Sequence, residues 1–233
     1  MMRVSGRRGC LRWLVAAPVL IAMLLAAMPD AMAADAEDAQ AIVDKARIAV
    51  GEFLRDDNYK WMRDHLNSAK GVLIYPQVLK AGFILGGSGG TGVLLARDGK
   101  TGAWSNPAFY TLGSVSFGLQ IGGESAEVVL LVMSQKGMDS LLVSKFKLGG
   151  DTSIALGPVG AGAKADITAD FISFARSKGL YAGLNLDGAY LDVREGLNKA
   201  YYGQATTPVD ILVKQSVGNK GAEPLREQLS KSK

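Results

Sequence analysis

This chain of 233 residues holds one cysteine and one histidine. Cys10 stands ahead of an apolar run near the N-terminus, so everything after that run folds without disulfides. Thiol catalysis and cysteine-ligated metal are excluded there. A single histidine, His65, with no cysteine to join it argues against a zinc site. Clustered positive charge is also missing. The net charge is +4, but four arginines and one aspartate lie before Ala34, and without that segment the balance is about +1. Nothing in it makes the basic footprint that nucleic-acid binding needs.

What is present begins with an address. Arg3, Arg7, Arg8 and Arg12 precede the charge-free run Trp13–Met28, and Ala31-Met32-Ala33 follows it. This is the pattern of a secretory signal. The run is shorter than the ~20 residues of a spanning helix, and Pro18 interrupts it. Arg7-Arg8-Gly9-Cys10-Leu11-Arg12 also resembles a twin-arginine export motif. The expected organisation is a cleaved signal over 1–33 and one domain over 34–233, placed in the periplasm or on the outer membrane.

The spacing of Ala39, Ile42, Ala46, Val50 and Phe53 predicts an amphipathic helix from Asp35 to Arg55. A second short helix is expected over Tyr59–Ser68. From Gly71 the pattern becomes apolar strands punctuated by glycine: Val72–Tyr75, stopped by Pro76, then Phe83–Leu85, Val93–Ala96, Ser114–Ile121 and Glu127–Ser134. Asp98-Gly99 is a hairpin turn signal. One or two helical turns are expected over Lys136–Val143. Further strands lie between Lys145 and Val193, and helices return at Arg194–Tyr201, Pro208–Val217 and Pro224–Ser230. Connections too short for helical crossovers predict antiparallel neighbours. The fold class is α+β: a single domain with a glycine-rich, mainly antiparallel, barrel- or sandwich-like sheet, N-terminal amphipathic helices and C-terminal helices.

Two enzyme fingerprints occur and fail. Gly87-Ser88-Gly89-Gly90-Thr91-Gly92 matches G-x-G-x-x-G, yet a strand pattern follows where a helix must open to hold pyrophosphate. Gly86-Gly87-Ser88-Gly89-Gly90 matches G-x-S-x-G, but His65 precedes it and falls on an apolar helix face. The carboxylate pairs Glu124/Glu127 and Asp166/Asp170 read as solvated strand and turn charges. No catalytic residue, metal or cofactor is expected.

Ala69-Lys70-Gly71, Lys80-Ala81-Gly82-Phe83, Gly89-Gly90-x-Gly92, Trp104-Ser105-x-Pro107, Phe117-Gly118-x-Gln120-x-Gly122, Gly157-Pro158-x-Gly160, Ser177-Lys178-Gly179-Leu180-Tyr181-Ala182-Gly183 and Tyr202-Gly203 occur in this order. As a set they resemble the SYLF domain, in its bacterial exported form, over residues 68–203. The resemblance implies a non-enzymatic, membrane-associating module. Eukaryotic members bind phosphoinositides, partly through an N-terminal amphipathic helix, and one branch binds actin. On this chain it implies lipid contact through Lys45, Arg47, Arg55, Lys60 and Lys80 for head groups, and Phe53, Leu54 and Trp61 for insertion. The Tyr75-Pro76-Gln77-Val78-Leu79 segment, read as a loop, would meet acyl chains. Two departures stand out. Ala161 occupies a position where the family often has Arg, and Asp44, Glu52 and Asp56 break up the basic face of the helix. The expected partner is anionic membrane lipid. Actin is not expected for an exported chain, and nucleic acid is excluded. The alternative is a structural or protein-interaction module of the cell envelope without a lipid ligand. Intact-mass spectrometry of the exported protein is expected to give Ala34 as its first residue; a mass that retains residues 1–33 would overturn the cleavage reading.

Overall fold

The structure is a computed structural model and describes residues 28–82, 85–117, 122–160, 162, 167–177 and 186–231. Most of the expected signal, Phe83-Ile84, the end of the strand read over Ser114–Ile121, and the motif after Ser177 lie outside them. The three-to-four spacing yields one long helix, α1 (Met28–Arg55), which already includes Ala31–Ala33. Ala39, Val43, Ala46, Val50 and Phe53 are buried along one stripe. Asp56 accepts from the Asn58 backbone N–H and caps a single 3-10 turn leading into α2 (Lys60–His65).

Eight strands follow: β1 (Gly71–Gly82), β2 (Leu85–Ala96), β3 (Ala108–Phe117), β4 (Gly122–Val132), β5 (Lys145–Lys147), β6 (Ile154–Leu156), β7 (Phe171–Ser177) and β8 (Tyr190–Val193). They form one sheet in the order β5-β8-β3-β2-β1-β4-β7-β6. Helix α3 (Gln135–Ser140) sits between β4 and β5. After β8 come α4 (Glu195–Tyr202), a short wide-turn helix over Val209–Val213, and α5 (Glu223–Ser230). The molecule is a single α+β domain. Its pairs are antiparallel except β6 with β7, which is parallel and which the short-connection argument did not anticipate.

The sheet must curl. Strands spaced about 4.8 Å apart would put the two outer strands of a flat eight-stranded sheet about 34 Å apart. Those outer strands, β5 and β6, are consecutive in the chain and joined by six residues, 148–153, which reach about 24 Å at most. Only a half-barrel brings the rims close enough.

Burial alternates across the sheet. Val72, Ile74, Val93, Leu95, Phe109, Val129 and Leu131 pack with α1, α2, α4 and α5 on one face. Leu73, Tyr75, Leu94, Tyr110, Leu112, Leu130 and Val132 pack on the other with Leu148 of the tether and with Leu186, Ile211 and Leu212. This second face is the filled interior of the curl.

Pro76 does not end its strand. β1 runs on to Gly82, and its register with both neighbours shifts across residues 75–78. Proline is tolerated at such a bulge because no ladder hydrogen bond is asked of its nitrogen. The bulge presses on β2. A Cβ on Gly90 would lie 2.2 Å from the Gln77 carbonyl oxygen, and one on Gly92 would lie 2.3 Å from that of Ile74. Gly113, on the opposite face of the sheet, meets nothing within 4 Å.

Asp170, read as a solvated turn charge, is a staple. It accepts from Ser134 Oγ at the cap of α3 and from Ser153 N (2.8 Å) and Oγ (3.0 Å) before β6. The Ser134 bond above all holds its carboxyl below the usual range. Gly92→Ala is expected to destabilise the fold by about 1–3 kcal/mol through overpacking, whereas Gly113→Ala stays within about 0.5 kcal/mol. Urea unfolding of the two variants checks this contrast, and equal effects would contradict it.

Candidate functional site

The expected lipid contacts divide sharply in space. Phe53 is fully buried and Leu54 and Trp61 are each 8% exposed. Phe53 meets Tyr59 edge-on at 4.6 Å between ring centres, and Trp61 lies 6.0 Å from Phe174. These three side chains belong to the core and are not presented at the surface for insertion. Lys45, Arg47 and Arg55 are exposed on α1. Lys60 is exposed and bonded to Asp64 at 2.6 Å. Lys80 stands in β1 beyond the bulge, opposite Ser88 and Glu124. It shares the strand parity of Val78, so it faces away from α1. The structure therefore gathers Lys45 and Arg47 on one helix segment and leaves Lys80 on the other side of the sheet.

The Tyr75–Leu79 segment is a bulged strand and not a loop. Tyr75 and Val78 are buried, while Leu79 is 56% exposed. Lys45, Ile48, Pro76, Gln77, Ser125 and Arg176 line a groove of about 210 Å³ between α1 and the bulge. Ile48 is 52% exposed. At the inner end of this groove Arg176 of β7 bonds Glu127 of β4 through Nε (2.9 Å) and a terminal nitrogen (2.6 Å), and it also bonds Glu52 of α1. Its guanidinium lies 5.9 Å from the Phe53 ring centre. This node ties the last turns of α1 to two strands. Glu127 had been read as a solvated strand charge, and its partner is 49 residues away.

Beyond α1, no described residue covers the same face of the sheet. Val93 and Leu95 of β2 point toward the helices, so Gly89 and Gly87, an even number of positions back, do too. By the same alternation Phe109 of β3 places Gly113 and Val115 on that face. Leu79 pairs with Gly89, which pairs with Gly113, and Gly87 pairs with Val115. Val115 is 76% exposed. A Cβ on Gly87 or Gly89 would have no neighbour nearer than 3.4 Å, so packing does not demand glycine there as it does at Gly90 and Gly92. The result is a low backbone floor between Leu79 and Val115, continuous through Ser125 with the groove at Ile48. Sequence reading missed Ile48 and Val115. Ile48 was visible as an apolar residue off the helix stripe, and Val115 as a strand residue whose facing neighbours are glycine.

The rejected motifs are strand. Ser88 lies within β2, and its hydroxyl is 2.7 Å from that of Ser114 on the next strand. His65 stacks on Trp61 at 3.7 Å, and its Nδ1 donates to the Trp61 carbonyl at 2.8 Å. Neither residue has the geometry of a nucleophile and its base. No helix among the described residues is long and apolar enough to cross a membrane.

Comparison with known proteins locates this architecture. Residues 113–232 match the family described as Ysc84, Las17-binding protein actin regulator. An SH3 domain-containing protein of Schizosaccharomyces pombe is 34% identical over 172 residues, which cover 71% of this chain and 40% of that protein. Protein YSC84 of Saccharomyces cerevisiae is 34% identical over 169 residues, 69% of this chain and 35% of its own. SH3 domain-containing YSC84-like protein 1 of Bos taurus is 32% identical over 168 residues, 69% and 48%. The chain spans less than half the length of each of these relatives. No solved structure matches it. The expectation that actin is foreign to this chain is overturned, because the matching family is described by actin regulation. The bacterial, exported subtype gains no support from yeast and mammalian relatives. Replacing Arg176 by Met strands two half-buried carboxylates and is expected to cost about 1–3 kcal/mol in urea unfolding. Adding Glu52→Gln and Glu127→Gln should recover part of that loss, and no recovery would contradict the node's role.

Proposed function

The chain belongs to the Ysc84 (SYLF) family, and on that premise we propose that it is a non-catalytic binding module that attaches to anionic phospholipid surfaces. One observation carries the reading: Ile48, Leu79 and Val115 are exposed together over a glycine floor, beside the exposed cation Lys45. Aliphatic groups leaving water contribute about 25 cal/mol per Å², and each cation near an anionic surface adds about 1 kcal/mol. Asp44 on the same segment offsets part of the charge term, so the apolar contact is the larger contribution. The contact is the outer face of α1 and the adjoining sheet, with Phe53 and Leu54 remaining in the core. If the N-terminal address functions as read, the surface met is that of the cell envelope.

A second reading rests on the family description. The same face would dock actin, the protein that the family's members are described as regulating. The glycine floor favours it, because a backbone without side chains lets a partner approach closely.

Co-sedimentation separates the two. Wild type is expected to pellet with vesicles of three parts phosphatidylcholine to one part phosphatidylglycerol and to pellet poorly with phosphatidylcholine alone. Ile48→Asp with Leu79→Asp should weaken that binding about tenfold while circular dichroism and thermal unfolding stay as in wild type, since both side chains are largely exposed. Unchanged binding in the double variant would overturn this face as the contact. Absence of vesicle binding by wild type, with saturable pelleting on filamentous actin, would establish the second reading in its place.

A further inference from the structure

The face read as the membrane contact does not stop at Val115. Leu79 of β1 pairs with Gly89 of β2, Gly89 with Gly113 of β3, Gly113 with Tyr190 of β8, and Tyr190 with Lys147 of β5. Residues directly opposite on neighbouring strands share a face, so one row crosses five strands on the helix side of the sheet. Leu191 and Phe146, one position along their strands, pack into the interior. Alternation therefore places Tyr190, Lys145 and Lys147 outside. Leu79 and Tyr190 stand three strand spacings apart, about 14 Å, and the row between them is two glycines.

Tyr190 is 46% exposed, and Lys145 and Lys147 are exposed. An aromatic side chain opposite a glycine can lie over it and shield it. Tyr190 does not: nothing is within 4 Å of the Cβ position of Gly113. Its ring is instead close to the two lysines, whose ammonium nitrogens lie 5.1 Å (Lys145) and 5.8 Å (Lys147) from the ring centre. Asp192 is directly opposite Lys145 in the ladder, yet neither ammonium has an ion-pair partner among the described residues. Two like charges thus converge on one ring, an arrangement that an anion placed between them would relieve.

The surroundings select that anion. Lysine binds phosphate as a point charge, and a phosphate monoester carries about −1.5 to −2 at pH 7, more than a singly charged diester. Two converging ammonium groups match the monoester. Leu79 and Val115 are exposed across the glycine floor, so the same ligand meets aliphatic groups, and a tyrosine with one wet edge suits the level of lipid head groups. A free phosphate would use none of these apolar contacts.

We infer that Tyr190, Lys145 and Lys147 form a head-group subsite that selects lipids ending in a phosphate monoester, as phosphatidate does. The inference rests on the reading of this face as a membrane contact and adds the chemical class of the lipid. Both lysine Nζ atoms donate to the phosphate oxygens. The glycine floor allows close approach of the lipid to the backbone, and its aliphatic part meets Leu79 and Val115. Asp192 opposes the phosphate from the same face.

The test uses phosphatidylcholine vesicles containing either phosphatidylglycerol or half as much phosphatidate, so that surface charge is matched. The full chain is expected to pellet more tightly with phosphatidate. Lys145→Gln with Lys147→Gln should weaken phosphatidate binding about tenfold, abolish the preference and leave the melting temperature unchanged, since both side chains are exposed. Asp192→Asn should tighten phosphatidate binding about twofold, an effect that mere loss of structure would not produce. Equal pelleting with the two lipids, or a double variant that keeps the preference, would overturn the subsite while leaving the membrane contact standing. Dihexanoyl phosphatidate, which needs no bilayer, separates the other case. If wild type pellets with neither vesicle but this soluble lipid moves the amides of Lys145, Lys147 and Tyr190, the subsite holds and the membrane reading falls. Neither pelleting nor amide shifts would overturn both.

Discussion

Both faces of the central strands are dry, and the rest of the architecture answers that requirement. Val72 and Ile74 point one way and Leu73 and Tyr75 the other, and all four are fully buried. A sheet with two apolar faces needs two covers. The chain meets the first need with α1, assisted by α4 and α5, and the second by bending the sheet around its own contents. The C-terminal segment contributes to both: Leu225 and Leu229 of α5 join the helix-side core, while Ile211 and Leu212 enter the interior. Buried polar contacts then fix how the covers sit. Asn198 Oδ1 accepts from the Phe109 backbone N–H at 2.9 Å, and the Tyr202 hydroxyl donates to the Pro107 carbonyl at 2.6 Å, so α4 is pinned to the start of β3.

Periodicity made most of this legible. The apolar spacing of α1, the strand runs from Gly71 and the helical tail all appear where their patterns lie, because each is a local consequence of which residues must leave water. The errors share one cause: tertiary contact decided what local pattern could not. Pro76 stops a strand only if every nitrogen must donate, and at a bulge it need not. Phe53 and Leu54 look equally suited to a bilayer and to a core. The stripe they extend is wide, and a wide stripe is what a helix laid flat on a sheet presents. Arg176, Glu52 and Glu127 meet across 49 and 124 residues, a distance over which no spacing rule operates. The parallel pairing of β6 with β7 was likewise invisible in connection lengths.

The glycines carry two different meanings on one strand. Gly90 and Gly92 are there because β1 crowds them. Gly87 and Gly89, alternating with them, face open space beside Leu79 and Val115. A literal reading of the run as a nucleotide fingerprint or a nucleophile elbow fails for the same physical reason in both cases: the chain stays extended through it, so no helix N-terminus and no sharp turn is formed. What the run provides instead is a thin sheet with one face closed against its own bulge and the other left low by Gly87 and Gly89.

The six residues that join the outer strands also act as a gauge. Because Lys147 and Ile154 stand on opposite rims, the length of chain between them caps how wide the half-barrel can gape, and Leu148, buried among the interior side chains, anchors that span from within. The bore of the molecule is thus written in a short stretch of surface chain. Adding residues there would slacken both rims at once, and removing them would pinch the interior.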